Sequence, residues 1–230
     1  MHKACAALLR NIVDYAGLFP PASLSFDPMI ENYQRYRISA EAWLLNRLVL
    51  PANLLRVQEG WRVTLLVDRE PGPLPYQVET LETKSSGRLS LPTYCEVPLE
   101  QVGDGFGKIR TAGPSIDEVA DFISGAATMR KPFKATAGLH HAMRSGAMHG
   151  FVNVFAAATF AWFGASRDDV VAVLSEEDAA SFQFSDDGLR WRDRTVRTAQ
   201  IAAARREFAH SFGACSFEEP VEDLRELGWL

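Results

Sequence analysis

Short apolar runs alternate along this chain with stretches whose apolar residues recur at helical spacing. The clearest strand lies at 61–67 (WRVTLLV), where β-branched and aliphatic residues dominate. Shorter apolar runs predict seven more strands, at 12–18, 48–50, 78–83, 93–97, 107–111, 132–137 and 212–217. Helical spacing predicts helices at 3–11, 28–36, 116–130, 151–163, 167–181, 194–209 and 220–227. The helix at 28–36 is expected to begin after Asp27 as its N-cap, with Pro28 in the first helical position.

Strands that alternate with helices indicate a parallel sheet, because a parallel pair needs a long crossover connection. Eight such strands match the count of a (βα)8 TIM-barrel-like parallel barrel, and an open parallel α/β sheet is the alternative fold class. The chain is expected to form a single α/β domain over 1–230, with a helical and hairpin insertion around 165–193. Residues 185–188 (SDDG) would be the turn of that hairpin.

The composition excludes several classes of partner. The chain has 230 residues and a formal net charge of −5, so basic residues are outnumbered and no nucleic-acid partner is expected. No membrane partner is expected either, because the most apolar stretch, 150–164, is shorter than a membrane span. The three cysteines are widely spaced, which favours a reducing, cytoplasmic location over a disulfide framework. The sequence pattern does not determine the oligomeric state, and a homo-oligomer is compatible with it.

Two neighbouring predicted strands carry basic residues just before a Thr-Ala-Gly turn. Lys108 and Arg110 lie two residues apart in GKIRTAG, and Lys134 and Thr136 lie two residues apart in PFKATAG. Because side chains alternate along a strand, each pair shares one face. Sites of parallel α/β folds form at the carboxyl ends of strands, so these residues predict a ligand site there. Ser115, before the next helix, could offer its backbone amide to an anion.

The segment 107–138 resembles the two-lysine strands of class I aldolases of the deoxyribose-phosphate type. That resemblance implies a barrel fold and a Schiff base on one lysine, with the other lysine lowering its pKa. Arg110 and the pair His140–His141 are additional to that pattern. The chain, with FGACSFEEP at 212–220, also resembles an uncharacterised bacterial α/β (TIM-barrel-like) family, which supplies no activity.

The residues themselves favour Lys134 as the reactive amine. A lysine must be neutral to attack a carbonyl, and burial or a nearby cation lowers its pKa. Lys134 lies between the apolar Phe133 and Ala135, so its pKa is expected to be lowered. Lys108 and Arg110 would tune Lys134 and hold an anion.

Three of the five histidines, His140, His141 and His149, fall within ten positions. One of His140 and His141 is expected to transfer protons, and the other to pack or donate a hydrogen bond. Glu96 and Asp68, at strand ends, could complete a His/carboxylate set for a metal, although this spacing is far looser than a dedicated zinc motif. No metal and no other cofactor is therefore expected.

Three further polar or reactive residues lie near predicted strands. Cys215 is expected to be a small buried hydrophobe. Asp14 and Asn46 could orient polar groups, or satisfy backbone groups at a turn.

These observations predict an enzyme that acts on a small anionic, carbonyl-containing metabolite, such as a sugar or keto-acid derivative, by aldolase or lyase chemistry through a lysine. Lys134, Lys108, His140 and His141 are the predicted catalytic residues. The predicted substrate contacts are Arg110, Thr111, Gly113, Thr136, Gly138, Glu96 and Ser216. Two alternatives remain: a metal-assisted isomerase or hydrolase using His140, His141 and Glu96, and a non-catalytic protein that binds an anionic metabolite.

Overall fold

A computed structural model describes residues 1–230, and eight of its eleven strands close into a barrel. The strands are β1 (Val13–Tyr15), β2 (Leu45–Pro51), β3 (Val63–Leu66), β4 (Val78–Thr83), β5 (Thr93–Cys95), β6 (Phe106–Arg110), β7 (Phe133–Thr136), β8 (Phe182–Phe184), β9 (Gly188–Trp191), β10 (Arg194–Arg197) and β11 (Ala209–Ala214). The barrel consists of β1 to β7 and β11, and every neighbouring pair in it is parallel. This confirms the predicted parallel barrel over the open sheet.

Seven α-helices accompany the strands: α1 (Lys3–Leu9), α2 (Phe26–Arg37), α3 (Ile116–Thr128), α4 (Phe151–Trp162), α5 (Arg167–Leu174), α6 (Thr198–Glu207) and α7 (Glu218–Glu226). The predicted helix at 151–163 is confirmed as α4, which is buried along almost its whole length. None of the helices combines the length and the apolar character that crossing a membrane requires.

Several predicted boundaries are wrong: β2 and β11 each begin three residues earlier than predicted, and three helix boundaries also differ. Helix α2 begins one residue before Asp27, with Ser25 as N-cap, so Asp27 lies in the first turn, where its negative charge suits the helix dipole. Helix α5 ends at Leu174 instead of 181. Residues 194–197 form β10 instead of the first turn of a helix, because they pair antiparallel with β9. That pairing completes a three-stranded sheet, β10-β9-β8, whose first turn is the predicted hairpin.

The two faces of the barrel strands differ in chemistry. On β7 the ring of Phe133 packs outward against Phe122 and Phe208, with ring centroids 5.4 and 5.0 Å apart. The neighbouring Lys134 is turned into the barrel, where it contacts acidic residues from other strands. The helices therefore cover an apolar outer face, while much of the barrel interior is polar.

Candidate functional site

Five charged side chains lie inside the barrel and touch one another. Lys134 on β7 places Nζ 2.5 Å from Asp14 Oδ2 on β1 and 2.5 Å from Glu82 Oε1 on β4. The other oxygen of Glu82 lies 2.7 Å from Lys108 Nζ on β6, and Lys108 Nζ lies 2.8 Å from Glu96 Oε2. We call Asp14, Glu82, Glu96, Lys108 and Lys134 the lysine–carboxylate network. Glu82 contacts both lysines of this network, one with each carboxylate oxygen.

Strand register explains why the two lysines meet. Lys108 and Lys134 are register partners on the adjacent parallel strands β6 and β7. Ile109, between Lys108 and Arg110, packs against the hydrophobic core. Lys108 and Lys134 thus meet inside the barrel, and the predicted parallel sheet is confirmed for their two strands.

Two neutral side chains hold Asp14 in place. Ser211 on β11 donates to Asp14 Oδ2 at 2.7 Å, and the Asn46 amide on β2 donates to Asp14 Oδ1 at 2.7 Å. Of the two roles open to Asp14 and Asn46, the structure therefore shows pairing with polar side chains rather than with backbone groups at a turn. Sequence reasoning missed Glu82 and Ser211. The strand pattern could have pointed to Glu82, because a charged residue among buried strand positions is rarely buried without a partner.

The prediction that Lys134 has a lowered pKa is wrong. Burial alone would lower the pKa of Lys134, but the charges of Asp14 and Glu82 and their hydrogen bonds outweigh burial and raise it. Burial would likewise raise the pKa of Asp14 and of Glu82, yet the adjacent lysines hold both carboxyl pKa values below their usual range. Lys134 is therefore a fixed ammonium at neutral pH.

A cavity of about 500 Å³ opens above the network at the carboxyl ends of β2 to β6. Glu82, Glu96 and Lys108 line it, and Lys134 does not. The side chain of Lys134 is 1% exposed and that of Lys108 is 9% exposed. The cavity therefore reaches the network through Lys108, while Lys134 lies beneath.

Arg110 follows Lys108 toward the mouth of the barrel. Its side chain is 56% exposed, and its Nη1 lies 3.6 Å from Glu96 Oε1. Arg110 and Lys108 thus share one face of β6, as predicted, and both approach Glu96. This arrangement leaves the guanidinium of Arg110 open to solvent beside the cavity.

The two Thr-Ala-Gly turns bind each other. Thr111 donates its hydroxyl to the Ala137 carbonyl at 2.9 Å, and its backbone N–H donates to Thr136 O at 3.0 Å. Gly138 has φ +113°, and a Cβ there would lie 2.5 Å from Ala112 N, whereas a Cβ on Gly113 would meet open space. Of the two glycines predicted as substrate contacts, only Gly113 has free space beside its Cα, and Thr111, Thr136 and Gly138 hold the two turns together.

Two of the serines considered in the sequence lie at the amino ends of helices. The Ser115 amide is already used, because it donates to Glu118 Oε2 at 2.7 Å in a capping box of α3, so the predicted role of that amide toward an anion is wrong. Ser216, before α7, accepts a hydrogen bond from the Glu219 amide at 3.2 Å.

The predicted proton-transfer histidines lie on the loop after β7 and pair with α7. His140 Nδ1 is 3.0 Å from Glu219 Oε2, and His141 Nδ1 is 3.1 Å from Asp223 Oδ2. Neither histidine lines the cavity above the network.

The residues of the metal-assisted alternative do not converge. No group of three or more His, Cys, Asp or Glu side chains is arranged to hold a metal ion, so His140, His141 and Glu96 do not form one. His149 is buried, with Nε2 2.9 Å from the Pro114 carbonyl, and Cys215 is a buried free thiol, as expected.

Comparison of the chain with protein-family models, with curated proteins and with solved structures found no match. The lysine–carboxylate network and its cavity are therefore the basis on which a function is inferred.

Proposed function

We propose that this chain is a lyase of the aldolase type that forms a Schiff base between a lysine and a small carbonyl-containing metabolite. The observation that carries the proposal is the lysine–carboxylate network, buried in the barrel directly beneath a cavity at the carboxyl ends of the strands. That end is where the active sites of barrel enzymes lie.

A purely structural role explains the network poorly. Moving an ion out of water costs several kcal/mol even after relaxation, and well-packed apolar residues can often replace buried ion pairs without loss of stability. A barrel interior is commonly filled by branched apolar side chains. Five charges retained in that space, next to a cavity, therefore favour a functional site.

The geometry favours Lys108 as the nucleophile and Lys134 as its supporting cation, which reverses the roles expected from the sequence. Lys108 reaches the cavity, whereas Lys134 is covered and held charged by two carboxylates. Lys134 also neutralises Glu82, which leaves Glu82 a weaker partner for the ammonium of Lys108. Glu96, 2.8 Å from Lys108 Nζ, is the group placed to take its proton.

The proposed chemistry follows from that arrangement. Lys108 passes a proton to Glu96, and its neutral amine attacks the substrate carbonyl carbon to give a carbinolamine. Loss of water, with a proton returned to the leaving oxygen, gives a protonated imine. In a β-hydroxy substrate that cation accepts the electron pair of the bond between the α and β carbons, which gives an enamine on Lys108, while the β carbon becomes an aldehyde as its hydroxyl proton passes to Glu96. Protonation of the enamine at the α carbon and hydrolysis of the resulting imine then release the second product and restore Lys108. Arg110, exposed beside the cavity, would meet an anionic group of the substrate.

Reductive trapping tests the proposal. Borohydride is added with a panel of aldehydes and 2-keto acids, and the labelled peptides are mapped. We expect an adduct on Lys108, its loss in Lys108→Gln, and its retention in Lys84→Gln, because Lys84 lines the same cavity but lies outside the network. No adduct from the whole panel, or an adduct confined to Lys134, would overturn the proposal. Saturable binding of a 2-keto acid without any adduct would favour a non-catalytic binding protein.

A further inference from the structure

A second cavity, of about 790 Å³, lies at the opposite end of the barrel. Its walls come from the amino ends of the strands, from α1 and from the carboxyl end of α6. Small-molecule sites commonly have volumes of about 300 to 1,000 Å³, so a metabolite of moderate size fits. The proposed reaction at the carboxyl end makes no use of this cavity.

The lining of this second cavity is strongly basic, although the chain as a whole carries a net charge of −5. Its basic residues are Lys3, Arg10, Arg47, Arg62, Arg205 and Arg206. Glu79 is the one carboxylate among the lining residues. An excess of cations in a concave, partly desolvated space produces a positive potential that concentrates anions.

Nearby acids neutralise only part of that excess: Asp186 Oδ2 lies 3.9 Å from Lys3 Nζ, and Glu207 pairs with Arg206. Glu79 is shared by two arginines, at 2.8 Å from Arg47 Nε and 2.9 Å from Arg62 Nε. Arg10 has no carboxylate within 4 Å, and the buried Arg205 donates only to backbone carbonyls, among them Leu8 O at 2.7 Å. Burial lowers the pKa of Arg205 to about 9, and the charge of Asp14 offsets only part of that shift.

His210 on β11 reports the same positive field. Burial, with the charges of Arg205 and Arg47, lowers its pKa to about 4, so it is neutral at pH 7. Its Nδ1 lies 2.7 Å from the hydroxyl of Tyr94, and its Nε2 lies 3.2 Å from the carbonyl of Arg206. His210 therefore contributes no charge of its own, and an ion entering the cavity would change its surroundings.

We propose that this basic cavity is a binding site for a small multivalent oxyanion, a phosphate-bearing metabolite. Arg10 and Arg62 are the principal ligands, because Arg10 has no acidic partner and Arg62 shares its acid with Arg47. Planar guanidinium groups bind phosphate and carboxylate oxygens in pairs, and the size of the cavity favours a ligand larger than a single phosphate ion.

The floor of the basic cavity adjoins the lysine–carboxylate network. Asn46 and Tyr94 line the cavity. Asn46 donates to Asp14, and Lys134 Nζ lies 5.5 Å from the centre of the Tyr94 ring. The two ends of the barrel are thus separated by a single layer of side chains.

Calorimetric titration with pyrophosphate tests the site. A parallel titration with citrate shows whether the cavity prefers phosphate or carboxylate ligands. We expect saturable binding that weakens with salt and falls roughly tenfold or more in the double variant Arg10→Gln/Arg62→Gln, as for loss of charge-assisted hydrogen bonds. Glu79→Gln should tighten binding, because it frees Arg47 and Arg62. Arg56→Gln, outside the cavity, should bind like the parent protein.

A spectroscopic readout locates the ligand. Pyrophosphate should shift the ring resonances of His210 and leave those of His140 and His141, at the other end of the barrel, unchanged. Absence of saturable pyrophosphate binding, or binding that is unaffected by the double variant, would overturn the proposal. Tighter binding of citrate than of pyrophosphate would overturn its phosphate specificity. Neither readout depends on catalysis.

Discussion

Lys134 is the residue on which the buried network depends, because it is the only cation in contact with Asp14 and it shares Glu82 with Lys108. In Lys134→Met, Asp14 would keep only the hydrogen bonds from Ser211 and Asn46. Breaking a buried pair by removing one partner typically costs about 3 to 5 kcal/mol. We expect a loss of that size in the free energy of unfolding, measured with urea.

Lys84→Met is the matched control for Lys134→Met. Lys84 is exposed and has no carboxylate partner, so its replacement should change stability by no more than about 0.5 kcal/mol. A loss below about 1 kcal/mol in Lys134→Met would contradict a buried, charged Lys134.

The same network predicts how stability depends on pH. Asp14 and Glu82 have folded-state pKa values below their ordinary values of 3.8 and 4.5, so the unfolded chain binds protons first as the pH falls. Their stabilising contribution is therefore complete above the ordinary values and is lost as the pH falls toward the lowered folded values. We expect urea midpoints to drop steeply below about pH 4.5.

Glu82→Gln isolates the contribution of one carboxyl to that slope. The decrease in stability on acidification should be shallower in Glu82→Gln than in the parent, while Glu59→Gln, which changes an exposed carboxylate outside any ion pair, should keep the parental slope. Equal slopes in all three proteins would show that Glu82 keeps its ordinary pKa.

At the scale of elements, the turns after β6 and β7 fix the strand ends that carry the lysines. Gly113 and Gly138 both have positive φ, +104° and +113°, but only at Gly138 would an added Cβ meet backbone, 2.5 Å from Ala112 N. Gly113→Ala should cost roughly 1 to 2 kcal/mol in backbone strain alone. Gly138→Ala should cost clearly more, because Ala112 must also move.

Thermal and urea unfolding of the two glycine variants provide the comparison. Each variant is the control for the other, since residue type, substitution and sign of φ are the same. Equal losses of stability would contradict the close packing of the two turns.

At the scale of the whole molecule, the barrel separates two sites of different charge. At the carboxyl end the lysines are matched by carboxylates, and at the amino end the arginines are in excess. Lys108→Gln should therefore abolish reductive labelling and leave the pyrophosphate affinity within about twofold, since Lys108 does not line the basic cavity. Arg10→Gln/Arg62→Gln should do the reverse. Loss of both properties in both variants, with folding intact by circular dichroism, would contradict two separate sites.

The alternation of apolar runs with helices determined the class of fold, because a parallel pair requires a crossover. Strand parity placed Lys108 with Arg110, and Lys134 with Thr136, on one face of their respective strands, since side chains alternate whatever the tertiary structure. The same local rule could have identified Glu82 from its position in β4. It could not identify β10, because that strand is fixed by pairing with β9 rather than by its own pattern.

Only the tertiary structure decided which charges meet and at which end of the barrel they lie. Asp14 and Lys134 are 120 positions apart in the chain, and Arg10 and Arg62 reach one cavity from separate elements. The flanking residues of Lys134 correctly indicated burial, but the direction of its pKa depends on Asp14 and Glu82, which barrel closure brings to its ammonium. The pKa of a side chain depends on the charges that lie close to it in space. Closure of the barrel determines which charges these are, and the neighbouring residues in the sequence do not.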